Sequence, residues 1–311
     1  VVPLIVRRVQ STEKATQVSA EQIEAVVTDD TLPFKDKLGV LVEDSAYSSV
    51  VHLGSVAPLS DLISVIRFPK NRVVYHKYEL PEGEKPSPGH PTWYGERFAL
   101  KEPDTWGEPD ERASTTFTTK KGKVYTVELE GWHDMLRKGK HDIPMHKYPF
   151  TLLRAEVLDE DGNRVFKHDM WIIVIGERRR ELSLIEIWEI YSQRYDVEHF
   201  FRYGKQRLLM ASFQTPVVEH EENWWQIVQL AYTQLWLARS IAEAMPRPWE
   251  RYEAPSEPGN ASPSTVQKDF GRIIQELGTP AKPPKRRINS TGRVKGARPP
   301  PRKRHPVIKK S

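Results

Sequence analysis

The N-terminal part of the chain alternates between short apolar runs and amphipathic stretches. Residues 1–9, 38–42 and 62–68 are apolar runs bounded by polar or turn-forming residues, and each predicts a strand. Apolar positions at helical spacing predict a helix within 11–30 and a short helix over about 48–57. The order strand, helix, strand, helix, strand predicts an α/β architecture with a partly parallel sheet.

The pattern changes between residues 70 and 176, where strand-like stretches are separated by turn residues. Lys121-Gly122 and Asp161-Gly162-Asn163 are typical of hairpin turns. We therefore predict an antiparallel β-rich insertion, with a loop in the Pro- and Gly-rich segment 81–91.

Helical periodicity returns in the C-terminal part of the chain. Two long helices are predicted over 183–210 and 223–245, and Pro246 and Pro248 end the second one. A short helix over 264–277 precedes a Pro- and Arg-rich tail that we expect to be disordered. The predicted organisation has four parts: the first part of an α/β core (1–69), the β-rich insertion (70–176), the helical second part of that core (177–245), and a linker with the short helix and the basic tail (246–311).

Composition excludes several classes of site. The chain has no cysteine, which rules out disulfides, Cys-based zinc sites, iron–sulfur clusters and thiol nucleophiles. Its longest apolar run, 170–175, is much shorter than a membrane span, and no signal-peptide pattern is present. These features predict a soluble, cytoplasmic protein that does not contact membranes.

Positive charge is concentrated in the tail. Residues 278–311 contain twelve Lys or Arg and no acidic residue, and because the whole chain carries +5, residues 1–277 carry −7. Such a tail suits a flexible arm on a polyanion such as nucleic acid. Charge alone leaves open a second interpretation, a terminus that only improves solubility.

Two places in the chain carry candidate chemistry. Asp44 follows a predicted buried strand, and open α/β sheets bind ligands at the carboxyl ends of their strands; the alternative is an Asp that opens a turn before Ser45. On a continuous helix at about 100° per residue, the side chains of Tyr191, Arg194, Glu198 and Lys205 lie within about 60° of one another.

Apolar residues occupy most of the remaining circumference of that helix, so we expect it to be widely buried. A carboxylate on such a helix, Glu198, must be paired, protonated or bound to a cation. We call Tyr191, Arg194, Glu198 and Lys205 the polar stripe. The alternative is that this stripe is only the solvated face of an amphipathic helix.

The spacing Tyr-x2-Arg-x3-Glu-x6-Lys, present here as Tyr191, Arg194, Glu198 and Lys205, resembles the signature of the IS4-type DDE transposases of insertion sequences. The stretch VEDSAYSS around Asp44 resembles the strand end that carries the second catalytic Asp of that family. The resemblance covers roughly residues 1–245. It implies an RNase H-like mixed sheet flanked by helices, with a β-rich insertion between the last core strand and the Glu-bearing helix.

The resemblance also implies an activity, cut-and-paste DNA transposition with strand cleavage and transfer at transposon ends. Two Mg²⁺ ions, which Mn²⁺ can replace, would activate the nucleophile and stabilise the leaving oxygen. Asp44 would bridge the ions and Glu198 would ligate one. Arg194 and Lys205 would hold DNA phosphates, and Tyr191 would contact the DNA backbone.

The implied partners are double-stranded DNA, at both transposon ends and target, and a second copy of the chain in a synaptic complex. Similar transposases use the insertion to hold a flipped base against an aromatic side chain, and Trp171, Trp93, Trp106 and Trp132 are candidates for this. Core packing is the alternative for each. Candidate phosphate contacts, with ordinary surface chemistry as the alternative, are Arg97, Lys120, Lys121 and Lys123.

The family also needs an Asp on the first strand of the sheet, and no Asp precedes Asp29 here. Because the chain starts directly with an apolar segment at Val1, we expect an upstream strand to be missing and this fragment alone to be inactive. Two alternatives stay open. One is a non-catalytic DNA-binding relic of a transposase, and the other is an RNase H-like structure-specific nuclease that cuts branched DNA without joining ends.

The charge distribution makes a first prediction. Removal of residues 279–311 should weaken binding to an unrelated DNA duplex and flatten the salt dependence of that binding. Each phosphate contact releases counterions when it forms, so a chain that makes fewer contacts releases fewer counterions on binding. Binding measured over a series of salt concentrations tests this. An unaltered slope would show that the tail only improves solubility.

Overall fold

A computed structural model describes residues 2–80, 92–119, 121–243 and 261–278. The predicted loop 81–91, Lys120, and the predicted linker and basic tail lie outside the described residues, apart from 261–278. Within the described ranges, no helix is long and apolar enough to cross a membrane.

The structure is organised around a six-stranded mixed sheet with the strand order β1-β2-β8-β7-β6-β5. Strands β1 and β2 are parallel and all other neighbours are antiparallel. The six strands are β1 (Gly39–Glu43), β2 (Leu62–Phe68), β5 (Glu111–Thr118), β6 (Val124–Met135), β7 (Phe150–Leu158) and β8 (Met170–Ile175). A separate antiparallel pair consists of β3 (Val73–Lys77) and β4 (Tyr94–Ala99).

Helices flank this sheet, which confirms the predicted fold class: a mixed α/β structure consistent with an RNase H-like fold. The helices are α1 (Ala15–Val27), α2 (Val50–Val56), α3 (Leu184–Ser192), α4 (Tyr195–Arg207), α5 (Val218–Leu237) and α6 (Pro263–Leu277). The strands predicted between residues 70 and 176 are present, and β5–β8 belong to the same sheet as β1 and β2.

Alternation along β2 produces two separate apolar cores. Ile66 and Phe68 point into a core that includes Leu53 of α2, whereas Ile63 and Val65 point into a core that includes helix α3. Successive strand residues face opposite sides of a sheet, so a strand covered on both faces is apolar almost throughout. We call the two sides of the sheet the α2 face and the α3 face.

The core on the α2 face contains an aromatic cluster. The ring centroids of its four members lie 5.0–6.3 Å apart. One pair, Phe98 and Trp106, is near parallel (11°) and the other pairs meet edge-on or tilted; the members are Phe98, Trp106, Trp132 and Trp171. Because three of the four are only 0–2% exposed, the cluster holds β4, β6 and β8 together through apolar burial.

Three predicted elements differ in the structure. The helix predicted over 223–245 is α5 (Val218–Leu237), which begins earlier and ends in the 3₁₀ turn Ala238–Ser240, so Pro246 and Pro248 do not end it. Residues 2–9 do not form a strand. The predicted helix 183–210 is two helices, because i to i+3 hydrogen bonds replace the helical pattern at the junction: Arg194 N–H donates to Tyr191 O (3.1 Å) and Asp196 N–H to Gln193 O (2.9 Å). No Pro or Gly marks this break in the sequence.

The chain divides into two compact units, residues 9–198 and residues 1–8 with 199–311, so the division falls inside α4. The first unit contains both sheets and helices α1–α3. In the second, α5 and α6 share a small core that includes Leu235, Val266 and Ile273.

Gly176, which follows β8, makes a stability prediction. Its φ is +139°, and a Cβ there would lie 2.5 Å from the Leu62 carbonyl oxygen. Gly176→Ala should therefore lower the free energy of unfolding by strain of about 1–2 kcal/mol plus about 1–3 kcal/mol of overpacking.

Gly162→Ala is the matched control, since Gly162 also has a positive φ (+79°) but nothing within 4 Å of the added methyl. Gly162→Ala should lower the free energy of unfolding by the backbone strain alone, about 1–2 kcal/mol. Equal losses for the two variants in denaturant titrations would contradict the close approach to Leu62.

Candidate functional site

Asp44 lies in the turn that leaves the carboxyl end of β1. Its backbone is extended (φ −86°, ψ −177°), and its carboxylate accepts a hydrogen bond from the Ala46 N–H (2.8 Å), which caps the 3₁₀ turn Ser45–Tyr47. The turn-opening role considered for Asp44 is therefore present. The side chain is exposed, and among the described residues its second carboxylate oxygen has no hydrogen-bond partner.

A buried acid–histidine pair lies directly beneath this turn. Glu43 and His52 are 6% and 1% exposed, and Glu43 Oε2 lies 2.7 Å from His52 Nε2. His52 Nδ1 donates to the Thr16 carbonyl of α1 at 3.1 Å. Desolvation is the largest influence and lowers the pKa of His52, but the hydrogen bond and charge of Glu43 and the Thr16 carbonyl raise that pKa above its ordinary 6.5. The pair joins α1, α2 and β1 below Asp44.

Tyr191 reaches the same end of the sheet from the α3 face. It is the last buried residue of α3, at 3% exposure. Burial raises the pKa of the Tyr191 phenol, and the nearby guanidinium groups of Arg67 and Arg194 oppose that rise. Tyr191 therefore lies close to Arg67, the penultimate residue of β2.

Arg194 occupies the break between α3 and α4 and contacts Glu198. Its Nη2 lies 3.0 Å from Glu198 Oε1, and its Cζ lies 4.7 Å from the centroid of the Tyr195 ring. The Arg194 side chain is 17% exposed and the Glu198 side chain 48% exposed. The expectation of a widely buried helix around Glu198 is wrong, since Tyr195, Val197 and Phe201 are exposed as well.

Register links Asp44 to these residues. Val42 of β1 pairs with Val65 of β2, and two steps further along both strands the same register sets Asp44 beside Arg67. Val42 and Val65 belong to the core on the α3 face, so alternation assigns Asp44 and Arg67 to that face as well. Arg67 is thus the residue that the β1–β2 register sets beside Asp44, and its charge also acts on Tyr191.

The structure does not preserve the continuous polar stripe. Because α3 and α4 are separate helices, the angles calculated for a single helix do not hold from Tyr191 to Lys205. Asp44, Tyr191, Arg194 and Glu198 belong to the first unit. Lys205 belongs to the second, where it is exposed with its Nζ 5.8 Å from the centroid of the Phe201 ring.

The basic candidates of the insertion are at the surface. Arg97 on β4 forms two hydrogen bonds to Glu102, at 2.7 and 2.9 Å. Lys121 and Lys123 are exposed in the β5–β6 turn, and Lys120 lies outside the described residues. To contact a phosphate, Arg97 would have to give up its hydrogen bonds to Glu102. Lys121 and Lys123 have no carboxylate partner within the described part of the chain.

The tryptophan candidates occupy two kinds of environment. Trp171, at 2% exposure, lies inside the aromatic cluster, so core packing describes its position and it presents no face on which a base could stack. Trp93 is half-buried and stacks on His146 with centroids 3.6 Å apart and planes 4° from parallel.

Sequence reasoning missed Arg67, Glu43 and His52. Arg67 had a visible signal, because it is the one charged residue in the apolar run LISVIRF of β2. Glu43 and His52 had none, since nothing in the sequence shows that a Glu at a strand end meets a His of the following helix.

Asp44 and Glu198 suit a hard divalent cation by donor type, because each offers carboxylate oxygen. Both are exposed, and the second oxygen of each carboxylate has no partner among the described residues. The part of the chain that the structure describes contains no group of three or more His, Asp or Glu that could hold a metal ion. The two carboxylates therefore fit as part of a cation site and do not complete one there.

Comparison with known proteins gives one family match. A family model described as DDE superfamily endonuclease matches residues 2–138, less than half of the chain. No curated protein matches. The matched segment contains Asp44 and the β1–β2 pair but not Tyr191, Arg194, Glu198 or Lys205. The match supports a DDE-type nuclease or transposase that acts on DNA; it does not test the IS4 signature.

The Glu43–His52 pair predicts a pH dependence of stability. Because the folded state binds the His52 proton more tightly than the unfolded chain does, the stabilisation is complete below about pH 6.5 and is lost as the pH rises through the folded-state pKa. The free energy of unfolding should fall over that range in the wild type, and His52→Gln should remove that part of the slope.

Denaturant titrations between pH 5.5 and about 8.5 measure this slope. His141→Gln, at an exposed histidine, is the control and should keep it. A His52→Gln variant with the wild-type slope would contradict the protonated, paired state of His52.

Proposed function

We propose that this chain is a metal-dependent DNA transposase of the IS4 type, which cleaves and transfers DNA strands at transposon ends by the cut-and-paste route. Asp44 and Glu198 are its metal ligands. Tyr191, Arg194 and Lys205 are its DNA contacts, and a homodimer in a synaptic complex is its working state. The match to a DDE endonuclease model over residues 2–138 supports the chemical class.

One observation carries the proposal. The β1–β2 register sets Asp44 beside Arg67 on the α3 face, and the charge of Arg67 acts on the buried phenol of Tyr191. Three residues after Tyr191, Arg194 contacts Glu198 at 3.0 Å. These links, between residues about 150 positions apart in the sequence, support a site at the carboxyl end of the β1–β2 pair, the position at which open α/β sheets bind ligands.

Asp44 and Glu198 would hold the divalent ions, and endonucleases of this superfamily generally use such ions. When bound, two ions would activate the attacking oxygen and stabilise the leaving oxygen of the phosphodiester. Mg²⁺ suits carboxylate ligands, and Mn²⁺ can replace it.

The side chains around the two acids orient them. The Ala46 N–H holds one oxygen of Asp44, which directs its other oxygen to the solvent-facing side of the turn. Arg194 lies over the Tyr195 ring and holds Glu198, and its planar guanidinium is suited to a phosphate oxygen pair. When DNA binds, Arg194 can move from Glu198 to a phosphate, which frees the carboxylate for a cation.

Substitution of the two acids tests the assignment. In a duplex substrate assay with Mg²⁺ or Mn²⁺, Asp44→Asn and Glu198→Gln should each lower metal-dependent cleavage at least about 100-fold, because loss of a ligand costs more than loss of a residue that only orients one. DNA affinity without metal should stay near the wild-type value, since neither acid contributes an attractive contact to phosphate.

Matched controls are Asp36→Asn and Glu189→Gln, which remove exposed carboxylates that have no partner among the described residues. Both should cleave normally. Wild-type turnover in Asp44→Asn or Glu198→Gln would contradict their role as ligands.

The products separate the alternatives. Cleavage together with joined product supports the transposase. Cleavage without joining indicates a structure-specific nuclease, and DNA binding with neither product indicates a non-catalytic relic.

A further inference from the structure

Arg137 is a partly buried arginine of the first unit whose charge is not balanced by a carboxylate among the described residues. Arg154, Arg179 and Arg194 have side chains only 12–17% exposed, and each forms an ion pair with a carboxylate. Arg137 is also half-buried, but among the described residues no carboxylate lies within ion-pair distance of it. A guanidinium in a partly desolvated position without an anion is costly.

The position of Arg137 is set by neutral groups. It follows β6, where Leu136 and Tyr75 exchange backbone hydrogen bonds of 2.7 and 2.8 Å. Its Nη1 donates to the Ser48 carbonyl, and its Cζ lies 5.4 Å from the centroid of the Phe68 ring. These contacts fix the plane of the guanidinium and leave its other nitrogens without a hydrogen-bond partner in the described ranges.

A second arginine lies near the first. Arg72 is exposed in the turn that follows β2, and its N–H donates to the Pro69 carbonyl at 3.2 Å. Desolvation, together with the like charge of Arg72, lowers the pKa of Arg137 to about 10. Two positive charges that act on each other, with no counter-ion among the described residues, form a site that an anion would stabilise.

Both arginines are at the end of the sheet that carries Asp44. Phe68 is the last residue of β2, and Ser48 closes the turn that Asp44 caps. Phe68 belongs to the core on the α2 face, whereas Asp44 and Arg67 are assigned to the α3 face. The arginine pair is therefore on the other side of the same strand ends.

We infer that Arg137 and Arg72 form a phosphate-binding subsite, which holds a backbone phosphate of the bound DNA on the α2 side of the strand ends. Arg137 supplies a fixed fork of donors, and Arg72 adds charge from an exposed turn. The identification of the anion as a DNA phosphate rests on the function proposed above. The existence of an anion subsite rests only on the two arginines.

Inorganic phosphate is the first probe. At pH 7.5 and constant ionic strength, replacement of chloride by phosphate should raise the unfolding temperature of the full chain, because a ligand that binds only the folded state stabilises it. Arg137→Gln and Arg72→Gln should each lose at least about half of this shift. Arg112→Gln should keep it, since Arg112 is an exposed arginine on β5, at the opposite edge of the sheet, that pairs with Glu108 and Glu130.

Duplex DNA is the second probe. The slope of log Kd against log salt should fall by about 1 for Arg137→Gln and about 1 for Arg72→Gln, the change expected for one lost phosphate contact each. Arg137→Lys should keep most of the slope but bind more weakly, because it retains charge without the planar fork. Arg72, as an exposed turn residue, keeps the test valid if Arg137→Gln does not fold.

The outcomes separate this inference from the proposed function. A phosphate shift that is equal in wild type and both glutamine variants would overturn the subsite, even if the chain binds and cleaves DNA. Loss of the phosphate shift with an unchanged DNA salt slope would overturn the assignment to DNA. A chain that responds to phosphate through both arginines but neither binds nor cleaves DNA would retain the subsite and lose the proposed function.

Discussion

The parallel pairing of β1 with β2 is the contact on which the candidate site depends. It aligns the carboxyl ends of two strands that are about 20 residues apart, so that Asp44 leaves the sheet beside Arg67. A slip of one residue in this register would move Asp44 and Arg67 to opposite faces, because successive strand residues alternate. The dense apolar packing on both sides of β2 opposes such a slip, since it would exchange the β2 side chains between two cores that are each packed around particular residues.

Charge at this end of the sheet is distributed between the two faces. The carboxylate of Asp44, assigned to the α3 face, and the carboxylate of Glu198 are exposed, and Glu198 pairs with the partly buried Arg194. On the α2 face, the Glu43–His52 pair is buried and balanced, whereas Arg137 has no acid beside it in the described part of the chain. Carboxylates for cations and guanidinium groups for phosphates are the two kinds of group that metal-assisted phosphodiester chemistry uses.

The break between α3 and α4 has a specific consequence. If 183–210 were one helix, Arg194 would extend from its side toward its neighbours on the polar stripe. At the junction, Arg194 keeps its i to i+4 partner Glu198 and also lies over the ring of Tyr195. Tyr191, Arg194 and Glu198 thus belong to the first unit, whereas Lys205 lies in the part of α4 that belongs to the second unit.

Much of the fold could be predicted from the sequence, because periodicity and turn chemistry are local. The pattern predicted β2, α1, α6 and the hairpins at Gly122 and Gly162, and the mixed α/β class followed from their order. The N-terminal apolar run shows the limit of this reasoning: it has strand propensity but no neighbouring strand among the described residues, and a strand needs hydrogen-bond partners that propensity cannot supply.

The position of Asp44 at a strand end and the spacing of Tyr191, Arg194 and Glu198 were likewise visible in the sequence alone. Only the tertiary structure decided that the strand register sets Arg67 beside Asp44, that His52 meets Glu43, that Glu198 is exposed beside Arg194, and that Arg137 has no acidic partner among the residues described. Those outcomes depend on strand register, on burial and on electrostatic contacts between residues far apart in the chain, and such long-range contacts leave no periodic trace in the sequence.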